Sequence, residues 1–243
     1  MAANKFDNLF LLARPAAGKS ELIDFMKKVS AKERFQNFHI GEFEEVDDFP
    51  WLWEACCKDD EREKRGDKRL YSERAPGGHN VTKKGFRGSL IPKLNIQILE
   101  KFEKKVGFYK ENTLLIEFAR GIGDGFADSL KQFSPKILKH SAILYLNVSL
   151  EESVRKNNAR YKEGQEGSIL CHKVPDADMT GFFKENDWNS ITKGAKAGSI
   201  DIAGVNVPFV TMDNEPELKE VSALSQRYGS ALGELFQLYS QGR

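Results

Sequence analysis

The stretch Ala13-Arg14-Pro15-Ala16-Ala17-Gly18-Lys19-Ser20 decides the reading of this chain. It directly follows Phe6 to Ala13, an apolar run with the length and composition of a buried strand. It directly precedes a helix with Leu22, Ile23, Phe25 and Met26 on its apolar side. Strand, small-residue turn and helix in that order aim backbone amides and the positive end of the helix dipole at one point, as an anion requires. The stretch fits G-x-x-x-x-G-K-[ST], except that Ala13 stands where the pattern has its first glycine. Alanine is tolerated there if its φ is negative. Gly18 lets the backbone approach a phosphate closely, Lys19 can reach β- and γ-phosphates, and Ser20 can offer a hydroxyl to Mg²⁺. The competing reading makes Gly18 a turn and Lys19 a surface residue. Against it, the helix dipole disfavours a lysine in the first turn unless an anion is bound beside it.

Outward from this stretch, strand-like and helix-like segments alternate. Phe35 to Phe43 reads as a weak strand leading into the acids Glu42, Glu44, Glu45, Asp47 and Asp48. Pro50-Trp51-Leu52-Trp53 opens a helix, whereas the charged run 58–69 and Ala-Pro-Gly-Gly-His-Asn at 75–80 read as solvated loop. Leu94, Ile98, Leu99 and Phe102 recur at helical spacing within 91–106. Thr113 to Phe118 is a second buried strand, a helix-like segment at 126–138 is interrupted by Ser134-Pro135, and Ala142 to Val148 is a third buried strand. Ser149 and Glu152 form a capping box, so a helix starts there. Residues 162–200 are polar and Gly-rich, Val205 to Thr211 is a last strand, and 217–240 a closing helix. This order implies an α/β fold, with a mostly parallel sheet covered by helices on both faces.

The bulk properties narrow the classes. A chain of 243 residues with 40% hydrophobic residues, 17 of them Phe, has enough apolar surface for one large domain over 1–243. A net charge of +1 gives no strong nucleic-acid signal and no polybasic membrane surface. No run of 18 apolar residues is present, so no membrane span is expected. The first residues lack the layout of a secretory signal, and a cytoplasmic location is the expectation. Cys56, Cys57 and Cys171 are an odd set without framework spacing, and Cys171-His172 lacks two further ligands for zinc.

The loop resembles that of P-loop kinases of the adenylate and nucleoside kinase-like type, which reads G-x-P-G-x-G-K. Pro15, Gly18 and Lys19 match it, while Ala13 and Ala16 depart. The resemblance implies a three-layer P-loop NTPase fold with a mostly parallel five-stranded sheet, an acceptor-binding segment over 42–90 and a lid-like excursion over 155–200. It also implies ATP and Mg²⁺ as cofactors, with Arg14, Pro15, Ala16, Ala17, Gly18, Lys19 and Ser20 around the phosphates. The implied partner is a small-molecule phosphate acceptor, with a homodimer left open.

Acidic residues at strand ends supply the remaining chemistry. Glu117, at the end of its strand, is placed to bind Mg²⁺ alongside Ser20 or to orient an acceptor hydroxyl. Arg120 follows it with a fork of donors for an acceptor or a transferring phosphate, although the two also suit a structural ion pair. The general base is sought among the acids after the second strand, Asp47 or Glu42 first, with Asp124 between glycines as a third candidate. Arg155 and Arg160 are candidate lid residues over a triphosphate, and Lys193 and Lys196 are their alternatives. Trp51, Trp53, Phe182, Phe183 and Trp188 suit either an acceptor pocket or burial. The function these features imply is transfer of a γ-phosphate to a small acceptor. The alternative is a nucleotide-hydrolysing switch acting on a protein, disfavoured because no strand leads into Asp-x-x-Gly.

Overall fold

The computed structural model describes residues 4–161 and 173–242. Its centre is β1 (Asn8–Ala13), flanked on one side by β5 (Asn112–Phe118) and on the other by β6 (Ser141–Asn147). β2 (Glu42–Asp47) lies outside β5, and β8 (Val205–Asp213) followed by β7 (Ala197–Ile202) lies outside β6, giving the order β2-β5-β1-β6-β8-β7. All pairs are parallel except β7 against β8. A separate antiparallel hairpin pairs β3 (Ser72–Ala75) with β4 (Gly78–Val81).

The expected three-layer P-loop NTPase fold with a five-stranded sheet is therefore corrected. The main sheet has six strands, one of them antiparallel, and a second small sheet stands beside it. The extra strand was hidden inside the polar excursion. β7 reads Ala-Gly-Ser-Ile-Asp-Ile, and only Ile200 and Ile202 bury fully, as alternation on an edge strand allows.

β1 and β5 read as continuous apolar runs because both faces of the sheet are covered. Alternate side chains feed two cores. Leu9, Leu11, Leu115 and Leu144 pack towards α1 (Lys19–Lys28) and the last helix, α11 (Val221–Gln241). Phe10, Leu12, Ile116 and Ile143 pack towards α4 (Ile91–Ile98), whose line continues as a π-helical turn through Glu103.

Other local expectations change. Phe35 lies in a helix, α2 (Ala31–Phe38), capped by the Ser30 hydroxyl accepting from the Glu33 amide, and the strand begins only at Glu42. The charged run from 58 belongs to α3 (Phe49–Lys64), whose buried residues are Cys56 and Asp59. Asp59 accepts from the amides of Leu70, Tyr71 and Ser72, which anchors the hairpin to α3. The segment 126–138 forms two short helices, α6 (Phe126–Leu130) and α7 (Pro135–Leu138), with Ser134 capping the second. A short α5 (Phe108–Glu111) precedes β5, and α8 (Leu150–Arg160) begins at its expected cap, the Ser149 hydroxyl accepting from the Glu152 amide. After α8, residues 162–172 lie outside the described residues, Cys171 and His172 among them. The chain then forms α9 (Asp176–Thr180) and α10 (Trp188–Ile191) before β7. Among the described residues no helix is long and apolar enough to cross a membrane.

Candidate phosphate-binding and acceptor site

The carboxyl ends of β1, β5 and β2 lie side by side, and the chain leaving each contributes to one cavity of ≈ 680 Å³. Ligands of open parallel sheets gather at this edge. The strand register places Asp47 directly beside Glu117, and Glu117 beside Leu11 of β1. Pro15, Ala16, Gly18, Lys19 and Ser20 form the wall at the β1 end.

The loop holds its shape through its carbonyls. The Pro15 carbonyl accepts from the Ser153 hydroxyl at 2.7 Å, and the Ala17 carbonyl from the Asn214 side-chain amide at 2.9 Å. Ala16 and Gly18 both have positive φ, 55° and 104°. With the carbonyls turned outward, the amides of the loop and first helical turn are left for a ligand; the first intrahelical bond is Leu22 N–H to the Gly18 carbonyl. Ala13 ends β1 in an ordinary strand conformation, which explains why its Cβ is tolerated in place of glycine.

Arg14 faces away from this arrangement. Its guanidinium donates to the carbonyls of Val148, Phe183 and Lys184, at 3.0, 3.1 and 3.0 Å. It fixes the start of the loop against β6 and the segment before α10, and only its backbone belongs to the loop. Ala17 is buried in the core. Ser20 is exposed on the cavity wall.

Opposite the loop stand three carboxylates. Asp48 is buried and bonded to Arg120 Nη2 at 2.6 Å, and Arg120 is 1% exposed. Arg120 also donates to the Ser129 hydroxyl and to the carbonyls of Ala119 and Arg87. Its partner is thus Asp48 and not Glu117, so neither an isolated Glu117–Arg120 pair nor a free guanidinium fork is present. Asp47 and Glu117 form no ion pair among the described residues. Burial, reinforced by the nearby charges of Asp48 and Glu117, pushes Asp47 up to about 8, although the Phe49 amide and Lys19 pull the other way. Burial likewise raises Glu117, opposed first by Lys19. Two carboxylates that hold their protons too tightly, facing a lysine, are the chemical mark of a place where a cation or an exchangeable proton belongs. Among the described residues no three His, Cys, Asp or Glu side chains converge as a metal cage. A magnesium ion on a polyphosphate needs only one or two carboxylate or hydroxyl ligands from the protein, and Ser20, Glu117 and Asp47 meet that requirement.

The other expected residues divide. Arg155 and Arg160 both line the cavity. Arg155 is held by Glu152 and Glu217, each at 2.6 Å, whereas Arg160 has no carboxylate partner among the described residues. Glu42 pairs with Arg34, away from the cavity, and Asp124 accepts from the Gly88 amide. Trp53 and Phe183 line the cavity, but Trp188 is core, stacked on Tyr145 at 4.7 Å. Trp51 packs under Lys93, and Phe182 covers the Arg87 guanidinium. Lys156 and Arg87 are among the cavity residues to which the sequence reading gives no role. Lys156, paired with Glu21 at 3.0 Å, lies between the two lid arginines. Arg87, paired with Asp178 at 2.6 Å, sits in a polar stretch with no periodicity to single it out.

No family model matches this chain, and no curated protein matches it. Among solved structures, the chain is similar to a protein described as APE1195, with 12% identity, TM-score 0.47, and 97% of this chain and 99% of that one covered. It is also similar to an unliganded sugar kinase from Janibacter sp. HTCC2649, with 10% identity, TM-score 0.48, and 96% and 98% covered. Neither likeness is close enough to assign a fold or a function.

Proposed function

We propose that this protein transfers the γ-phosphate of a nucleoside triphosphate, ATP in the first instance, to the hydroxyl of a small acceptor. The observation that carries the reading is the facing arrangement in one cavity: Lys19 and the loop of residues 16–20 on one side, and on the other Asp47 and Glu117, which have no ion-pair partner among the described residues. In this reading the loop amides and Lys19 hold the β- and γ-phosphates. Arg160 approaches the same phosphates from α8, and the fork of Arg155 becomes available if its bonds to Glu152 and Glu217 open. Mg²⁺ would be held by Ser20 with Glu117, and when bound it supplies charge neutralisation for the phosphates.

Asp47 is the base. Its carboxylate takes the acceptor's hydroxyl proton as the oxygen–phosphorus bond forms and the bond from the γ-phosphorus to the bridging oxygen breaks, leaving the diphosphate with that electron pair. A base with an affinity near 8 is matched to a hydroxyl better than an ordinary carboxylate. Arg120 acts through Asp48 and the Arg87 carbonyl, fixing the strand end that carries Asp47, and does not touch the reacting atoms. Phe49, Leu52, Trp53, Val81 and Arg87 supply the acceptor wall, and Arg155, Lys156, Arg160, Lys173 and Phe183 the opposing wall.

The test is incubation with Mg²⁺ and γ-labelled ATP, with and without a pool of nucleosides, nucleotides, sugars and short oligonucleotides, with Lys19→Ala as control. Label appearing in an acceptor, and lost in the control, supports the reading. Acceptor-independent phosphate release would replace transfer by hydrolysis, and absence of nucleotide binding would overturn the reading.

A further inference from the structure

The charged groups around the cavity are divided unevenly. At the loop end, Lys19 and Arg160 have no carboxylate partner among the described residues. At the far end Arg87, Arg120 and Lys173 each have a carboxylate partner among the described residues. Arg87 Nη2 is bonded to Asp178 at 2.6 Å, and its flat face lies 4.2 Å from the Phe182 ring centre. Arg120 is committed to Asp48 and to three further acceptors. Lys173, at the rim, is paired with Asp176. The acidic group left over at that end is Asp47, which the transfer reading keeps for the acceptor's hydroxyl, with Glu117 on the neighbouring strand between it and the loop.

A phosphate group is held by guanidinium or ammonium groups free to donate to it. Placed here it would have to open the buried Arg87–Asp178 pair, which is strongly unfavourable. What the far end does offer is apolar. Phe49, Leu52, Trp53, Val81 and Phe183 line it. One polar edge interrupts them: His79 Nε2 is bonded to Asp60 at 3.1 Å, and Nδ1 is buried with no partner among the described residues.

We infer that the acceptor is an uncharged alcohol with an apolar or aromatic body, and that this end of the cavity rejects compounds already carrying phosphate. The inference rests on the transfer reading above and narrows its substrate class. The body packs on the Trp53 and Phe183 side, and the hydroxyl lies at Asp47. The pairing of Arg87 with Asp178 is the element that keeps phosphorylated acceptors out.

The experiment is a calorimetric titration of inorganic pyrophosphate into protein already saturated with Mg²⁺ and a non-hydrolysable ATP analogue. The wild type is expected to take up no second anion. In Asp178→Asn the freed Arg87 is expected to create a second saturable site. A second site in the wild type with Kd below about 1 mM overturns the inference, while leaving transfer itself standing. So does faster labelling, from γ-labelled ATP, of any nucleoside monophosphate than of its parent nucleoside. Failure of the wild type to bind the analogue in a Lys19-dependent way removes the transfer reading instead, and the inference falls with it.

Discussion

Exchanging the small residues at positions 16 and 18 should have opposite effects on stability. Gly18 has φ 104°, and a Cβ there would stand 2.3 Å from the Asn214 side-chain nitrogen. Gly18→Ala therefore incurs about 1–2 kcal/mol for a side chain in the left-handed region. It also expels Asn214 from its 2.9 Å bond to the Ala17 carbonyl, and an orphaned buried carbonyl costs about 1–3 kcal/mol. The combined loss of roughly 2–5 kcal/mol corresponds to a Tm lower by about 5–15 °C for a chain of this size. Ala16 already holds a left-handed φ of 55° with a Cβ in place. Ala16→Gly relieves that strain but gives the unfolded chain more freedom, leaving a net gain of about 0.5–1 kcal/mol, or a Tm raised by roughly 2–4 °C. Thermal unfolding followed by circular dichroism measures both. A neutral Gly18→Ala, or a destabilising Ala16→Gly, would refute the loop conformation on which the phosphate site depends.

Three further outcomes are expected. Because Asp47 must be ionised to accept a proton and its affinity is pushed up to about 8, kcat/KM for the acceptor should rise with pH through that region, and Asp47→Asn should abolish the limb. A pH profile flat from 6 to about 9 would remove Asp47 as base. Arg120→Ala strands a buried Asp48 and should lower stability by about 3–5 kcal/mol in denaturant unfolding, so a loss below about 1 kcal/mol would show that the pair is not buried in solution. Ser153→Ala frees the Pro15 carbonyl and should cost about 1–3 kcal/mol while weakening ATP binding more than acceptor binding, as competition titrations would register.

The strand, loop and helix that form one wall of the cavity were legible because local pattern and observed structure coincide there. Strand, glycine and lysine announce the loop, whereas the register that puts Asp47 beside Glu117 was not legible, because β2 runs through the acids themselves and not through the apolar stretch before them. The acceptor side was less legible for physical reasons. α3 is rich in charge throughout its second half, so the absence of an apolar stripe hid it. Its stability comes from Asp59 binding three amides across the chain, a contact no periodicity records. β7 was hidden because an edge strand needs only two buried side chains, Ile200 and Ile202. The true partner of Arg120 was hidden too. The nearest acid in sequence is Glu117, but Arg120 lies beyond the end of β5, and the pair is made instead with Asp48 just after the neighbouring strand.

That choice of partner has a consequence for chemistry. β2 ends in two consecutive acids, and the fold treats them differently. Asp48 is neutralised by Arg120 and becomes part of the scaffold. Asp47, directed to the cavity, receives only the Phe49 amide and the distant pull of Lys19, and so retains a high proton affinity. Had Arg120 reached Glu117 and Asp47 instead, both carboxylates would be permanently ionised and saturated, unable to meet a metal or accept a proton. The fold thus pairs Arg120, 1% exposed, with Asp48 and not with Asp47 or Glu117. It leaves Asp47 and Glu117 without an ion pair among the described residues, across the cavity from Lys19, and on the transfer reading a bound cation or proton relieves their repulsion.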